Sequence, residues 1–267
     1  MMRGMPRPRR SGRSRQRSKG RTLGVVGSLA LVSFALVAVT LLRTHPTPTE
    51  VLNRPQPAVT LPSRNPLALV IGDSQAMGGF GVGALETWVA QGLRSAGFQP
   101  VIVGYPGTGY VHDRPAHGDQ DGHPNYVTSL REGLYNLPPA DHVQLVVLEG
   151  GGNDAFDPAK DISAAAREAI RLVREEYPEA EVLMLGPLNQ AGDPRSLRVK
   201  TAAVLAAVAT EEDVPFIDAT SWVADAGVAG ELVDGLHFTQ KGHTALAPYL
   251  GDALSALGVE AEPLPAG

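Results

Sequence analysis

Residues 69–79 read LVIGDSQAMGG, and the interpretation of this stretch decides the fold. The apolar, β-branched run at 67–71 stops at Gly72, and two polar residues, Asp73 and Ser74, precede a string of small ones. This is the pattern of a buried strand that delivers a serine to a tight turn at its carboxyl end. In open parallel α/β sheets the loops leaving the strand ends form the crevice where ligands bind. Ser74 therefore has a positional claim before any chemistry is considered. Gly, Asp and Ser are also ordinary turn formers for backbone reasons alone, so the tripeptide gains meaning only from what surrounds it.

Outward from this stretch, strand patterns recur at 100–103, 143–148, 181–185 and 214–217. Helical patterns fall between them at 84–95, 126–137, 162–177 and 196–210, with a last one at 240–257. The helix at 162–177 is the clearest: Ile162, Ala166, Ala169, Ile170, Val173 and Tyr177 recur at helical spacing, and Asp161 stands where a cap is expected. Its remaining Arg and Glu residues read as a solvated face. Five strands separated by helices predict an α/β fold with a mostly parallel five-stranded sheet covered on both faces.

Four polar clusters follow predicted strands on this frame. They are Gly72-Asp73-Ser74, then Gly104 to Gly109 (GYPGTG), then Glu149 to Asp154 (EGGGND), and, beyond the fifth strand, Asp234-Gly-Leu-His237. In a parallel sheet these loops share one edge, so residues distant in sequence can meet at Ser74. A serine hydroxyl is a weak nucleophile until an imidazole takes its proton, and His237 is the candidate base. The imidazole needs a carboxylate on its other nitrogen, and Asp234 lies three residues upstream. An anionic tetrahedral intermediate needs donors, for which the backbone amides of Ser74 and Gly107 and the side-chain amide of Asn153 are candidates. Each residue also has a plainer reading: His237 as a structural histidine, Asp234 as part of an Asp-Gly turn, Asn153 and Asp154 as a helix cap. No Walker-type phosphate loop is present, which favours acyl transfer over phosphoryl transfer. Asp73 and Asp154 read as braces for their loops.

The blocks Gly-Asp-Ser, a glycine after the second strand, Gly-x-Asn-Asp and Asp-x-x-His, in this order, resemble those of the SGNH (GDSL-type) serine esterase and lipase family. The resemblance covers roughly 67–257. It implies a flavodoxin-like three-layer α/β/α sandwich, with the family's four named residues falling on Ser74, Gly107, Asn153 and His237, and Asp234 completing a triad. Two features depart from or blur the pattern. Gln75 stands where the GDSL name has leucine, and both Gly107 and Gly109 fit the second block, Gly107 being preferred on loop position.

Composition bounds the setting. The chain of 267 residues, 43% apolar and 19% charged, is long enough for one domain with appendages. It has no cysteine, which excludes disulfides, thiolate metal sites and a cysteine nucleophile. The formal charge of -5 conceals an asymmetry: ten of the 23 basic residues and no acidic ones lie in positions 1–43. The remainder carries 13 basic against 28 acidic residues, a balance of -15, which argues against a nucleic-acid partner.

Residues 23–42 (LGVVGSLALVSFALVAVTLL) carry no charge between Arg21 and Arg43, and about 20 such residues span the roughly 30 Å hydrocarbon core of a bilayer. With the basic cluster before the span, 1–22 are expected in the cytoplasm and the rest outside. A cleaved signal peptide is the alternative; the run exceeds the ~7 to 15 apolar residues of a signal core, which favours an anchor. Residues 43–66, rich in Pro and Thr, read as an extended spacer. A hydrolase domain is expected at 67–258 and a tail at 259–267.

The stretch 105–125 holds His112, Asp113, His117, Asp119, Asp121 and His123. It is expected to be a solvated loop bordering the site, with no metal or cofactor required. Asp119-x-Asp121-Gly122 resembles part of a calcium loop, but position 12 would fall on Thr128, where a glutamate is needed. Tyr105, Tyr110, Trp222 and Phe238 are candidates to line an acyl or sugar site, the last two being equally suited to the core. The functional expectation is a membrane-anchored, extracytoplasmic serine esterase acting on small acyl groups of glycans or other envelope molecules. A lipase or thioesterase, or an acyltransferase using the same triad, is the alternative.

Overall fold

The computed structural model describes residues 65–118 and 121–262. The expected anchor, its basic flank and nearly all of the spacer lie outside the described residues. Among the described residues, no helix is long and apolar enough to cross a membrane.

Five strands form one parallel sheet: β1 (Leu67–Gly72), β2 (Gln99–Gly104), β3 (Val143–Glu149), β4 (Glu181–Leu185) and β5 (Phe216–Ile217), in the order β2-β1-β3-β4-β5. All six residues of β1 are buried, which explains its unbroken apolar run: a central parallel strand has no solvent face. The side chains divide by parity. Leu69, Ile71, Val146 and Leu148 face one apolar cluster, while Ala68, Val70, Leu145 and Val147 face the other.

Helices close both faces. On the first lie α3 (Tyr126–Arg131), α4 (Ala159–Glu176) and α5 (Leu197–Glu211), contributing Tyr126, Ile170, Val173 and Leu205. On the second lie α2 (Trp88–Ser95), α6 (Trp222–Asp225) and α7 (Gln240–Leu257), contributing Trp88, Leu93, Val223 and Leu250. The short α1 (Ser74–Met77) follows β1 directly. The strand order reverses between β1 and β3, so the loops after β1, β2 and β3 open on one crevice at the sheet's carboxyl edge.

The expected elements appear with corrected ends, and each correction has a local cause. The pattern at 84–95 splits because Thr87 is extended and caps α2, its side chain accepting from Ala90 N–H. The pattern at 126–137 stops at Arg131. Gly133 turns left-handed (φ 65°), and the Gly133 and Leu134 amides return to the Leu130 and Ser129 carbonyls, closing the helix end. α4 starts at Ala159 after Pro158, so Asp161 lies in the first turn and does not cap it. β5 is shortened to two residues: Asp213 is left-handed (φ 53°) and Pro215 has no N–H to donate to a ladder, offering only its carbonyl to Met184.

Candidate active site

The β1–α1 turn is built by Asp73, which caps α1 by accepting from Gln75 N–H at 2.8 Å. Ser74 is thereby the first helical residue, and its N–H has no acceptor within the helix. Across the crevice Asp234 organises the loop that precedes α7. Its Oδ1 accepts from the amides of Leu236 (3.0 Å) and His237 (2.8 Å), and its Oδ2 lies 2.8 Å from His237 Nδ1. His237 Nε2 then lies 2.8 Å from Ser74 Oγ. The structure thus brings Ser74, His237 and Asp234 into one chain of hydrogen bonds across 163 residues of sequence. Burial pushes the Asp234 carboxyl up, but the His237 amide and ring and the Leu236 amide outweigh it and hold the group at about 2. A charged carboxylate on Nδ1 fixes the tautomer in which Nε2 can accept the serine proton.

Asn153, at the start of the short 3₁₀ turn after β3, faces the same centre. Its side-chain N–H₂ donates to Asp73 Oδ2 (3.0 Å) and to the Thr108 carbonyl (2.9 Å). Both partners are acceptors, which assigns the amide orientation. Gly107 is left-handed (φ 80°), and among the described residues its N–H has no acceptor. Gly109 differs: its N–H donates to the His112 carbonyl at 3.0 Å, and a Cβ there would lie 2.2 Å from Asp154 Oδ2. Asp154 is fully buried and accepts from the amides of Tyr110, Val111 and His112, so it braces the β2 loop.

Two residues near the serine carry roles that sequence reasoning missed. Gln75, 4% exposed, donates its side-chain N–H to the Leu236 carbonyl at 3.1 Å, and Gln190 donates to the same oxygen at 3.3 Å. The residue that replaces leucine in the signature therefore ties the serine turn to the histidine loop. Glu149, 1% exposed, lies beneath the turn with Oε2 3.3 Å from Asp73 N–H. Gly72 makes room for it, since a Cβ there would stand 2.7 Å from that oxygen. Burial, reinforced by the Asp73 charge, pushes the Glu149 carboxyl well above the usual range. Burial raises Asp73 as well, opposed by the Gln75 amide and by the charge of the half-buried Arg198. The one sequence signal for Glu149 was a charge closing a largely apolar strand; the amide it accepts from was not visible there.

The stretch after β2 is a turn and a short hairpin in which Arg114 and His123 exchange backbone hydrogen bonds. His123 stacks on Tyr105 with centroids 4.2 Å apart, His112 Nδ1 lies 3.5 Å from Asp157, and Asp113 accepts from Asn125. Among the described residues, no three His, Asp or Glu side chains are grouped to hold a metal; Asp119 lies outside them. Of the aromatic residues expected to line a substrate site, Tyr110, Trp222 and Phe238 are buried in the core. Their large apolar area packs under the sheet and helices, leaving Tyr105 partly exposed.

The chain resembles solved structures of Est24, a carbohydrate acetylesterase from Sinorhizobium meliloti (18% identity, 72% of this chain and 99% of that one, TM-score 0.51). It also resembles a Mycobacterium smegmatis aryl esterase (21%, 72% and 99%, TM-score 0.50) and a family two carbohydrate esterase from Clostridium thermocellum (17%, 74% and 66%, TM-score 0.56). At these identities the likeness establishes the fold. No curated sequence matches the chain. The profile of the GDSL-like lipase/acylhydrolase family, however, matches residues 70–245, well over half of the chain and all four polar loops. This protein therefore belongs to the GDSL-like lipase/acylhydrolase (SGNH) family of carboxylic ester hydrolases.

Proposed function

We propose that the protein is a membrane-anchored, extracytoplasmic serine esterase that removes small acyl groups from glycans or related envelope molecules. The observation that carries this reading is the pair of 2.8 Å contacts from Asp234 through His237 to Ser74. Ser74 Oγ attacks the ester carbonyl as its proton moves to His237 Nε2. The C–O bond to the alcohol then breaks as that proton passes to the leaving oxygen, leaving the acyl group on Ser74. Water repeats the sequence in reverse to release the acid. The Ser74 and Gly107 amides and Asn153 Nδ2 serve the oxyanion. Gly107 is preferred over Gly109 because its N–H is free among the described residues while that of Gly109 is taken. Asn153 serves by transferring to the oxyanion the N–H it now gives to Thr108.

The carbohydrate esterases among the structural neighbours support the substrate class. The strand order with helices on both faces supports a flavodoxin-like three-layer sandwich. The charge-free run at 23–42 behind a basic cluster supports the anchor. The full-length protein, treated with a serine-directed phosphonate, is expected to be labelled at Ser74, and Ser74→Ala should lose ester turnover while keeping the wild-type melting temperature. Labelling at another residue, or retained turnover in the variant, would overturn the mechanism. In intact cells the chain should fractionate with membranes and its carboxyl-terminal domain should be open to external protease; a soluble form beginning near Arg43 would replace the anchor with a cleaved signal.

A further inference from the structure

The loop that leaves α1 reads GGFGVG at 78–83. Gly79 and Val82 pair across it, with Gly79 N–H to Val82 O at 3.0 Å and the reverse bond at 2.9 Å, so Phe80 and Gly81 form a two-residue turn. Both have positive φ, 50° and 91°, the pattern of a type I′ turn. Asn, Asp or Gly normally takes the first of these positions, because a bulky side chain there crowds its own backbone. A phenylalanine in a left-handed conformation, with glycine on either side, is held against local preference. Packing does not repay it, since Phe80 is 61% exposed. Its ring stands beside the imidazole of His237, with centroids 5.3 Å apart and planes tilted by 39°.

We infer that Phe80 is a specificity-determining residue, a flat apolar platform for the alcohol half of the ester. This rests on the esterase reading above. In that reaction His237 Nε2 must reach the leaving oxygen to protonate it, so the alcohol lies against the imidazole. Among the described residues, Phe80 is the aromatic ring beside that imidazole, and it borders the same space. Val233, whose N–H donates to the His237 carbonyl, is a half-exposed apolar residue on the His237 loop. A ring with a flat C–H or π face, a pyranose or an aryl group, matches such a platform, whereas a short linear alcohol does not reach across it.

The test uses the full-length protein in detergent and three esters of whichever acyl group the wild type turns over fastest. The alcohols are ethanol, phenol and the 6-hydroxyl of methyl glucopyranoside. Phe80→Ala should lower kcat/KM about five- to tenfold for a ring-bearing alcohol, the size of one aromatic contact, and leave the ethyl ester within about twofold. Loss on the glucoside arm assigns a sugar, and loss confined to the phenyl arm assigns an aryl group. Phe80→Tyr should retain the preference. Phe80→Gly should lose it while melting no lower than wild type, because glycine relieves the left-handed backbone. An equal loss on all three esters would make the ring a prop for His237, and no loss on either ring ester would remove its role; both overturn the assignment. A wild type inactive on every ester would instead overturn the esterase reading, and with it this inference.

Discussion

At the residue scale, one of the proposed oxyanion donors is already committed. Both amide hydrogens of Asn153 are engaged, one by Asp73 Oδ2 and one by the Thr108 carbonyl. A neutral ester oxygen competes poorly for the second hydrogen, whereas a developing oxyanion attracts it about twice as strongly as a carbonyl does. Asn153→Ala should therefore lower kcat by about 10² to 10³ with little change in KM, because the contact strengthens only as charge develops. Steady-state kinetics on the wild type's best ester checks this; a variant whose sole defect is a raised KM would make Asn153 a ground-state binding residue. Ser74 and Asn153 were legible as candidates because each sits in a short polar block just after a strand, and Asp234 and His237 because they form one such block before the last helix. Gln75 and Glu149 were not, since their meaning lies in what they reach. Gln75 finds a carbonyl 161 positions away and Glu149 an amide 76 positions away. Phe80 carried a local signal in its flanking glycines, but a glycine-rich string also reads as a plain turn.

At the element scale, every strand and every long helix was legible in the apolar patterns; the errors gathered at ends, and the four-residue helices α1 and α6 were missed. Ends are decided by single caps and left-handed residues such as Thr87, Gly133 and Asp213, which periodicity does not register. Helix contacts were equally hidden. α2 and α7 approach so closely that a Cβ on Gly92 would stand 2.7 Å from Leu250 Cβ, an atom fixed to the α7 backbone. Helix propensity alone predicts that Gly92→Ala would stabilise α2 by about 1 kcal/mol. The close approach reverses the sign: overpacking of this kind costs about 1 to 3 kcal/mol. Gly92→Ala should therefore lower the denaturation midpoint, and an unchanged or higher midpoint would mean that the two helices can separate without loss.

At the scale of the whole molecule, the helix pair meets the active-site loop through one buried histidine. His243 in α7 is 2% exposed, and its Nδ1 accepts the N–H of Trp88 at the start of α2 at 3.2 Å. The ring packs edge-on against Phe238, the residue next to His237. Protonation of Nδ1 would set one donor against another, and burial, aided by the charge of His237, lowers this histidine to about 4. In the unfolded chain it returns to about 6.5, so the unfolded state binds more protons between those values. The stability His243 confers is complete above pH 6.5 and is lost as pH falls towards 4, an effect of about 3 kcal/mol. Glu149 works in the opposite direction. Its raised carboxyl favours the folded state at low pH, and that contribution fades as pH rises above the ordinary carboxylate range. A pH profile of the wild type alone would mix the two, so the difference between wild type and His243→Asn isolates the histidine. Urea denaturation should find the variant less stable at pH 7.5, with the gap closing steadily by pH 4.5. A gap that stays constant across that range would mean that His243 keeps the same protonation state folded and unfolded, and that the link between α2 and α7 is indifferent to acid.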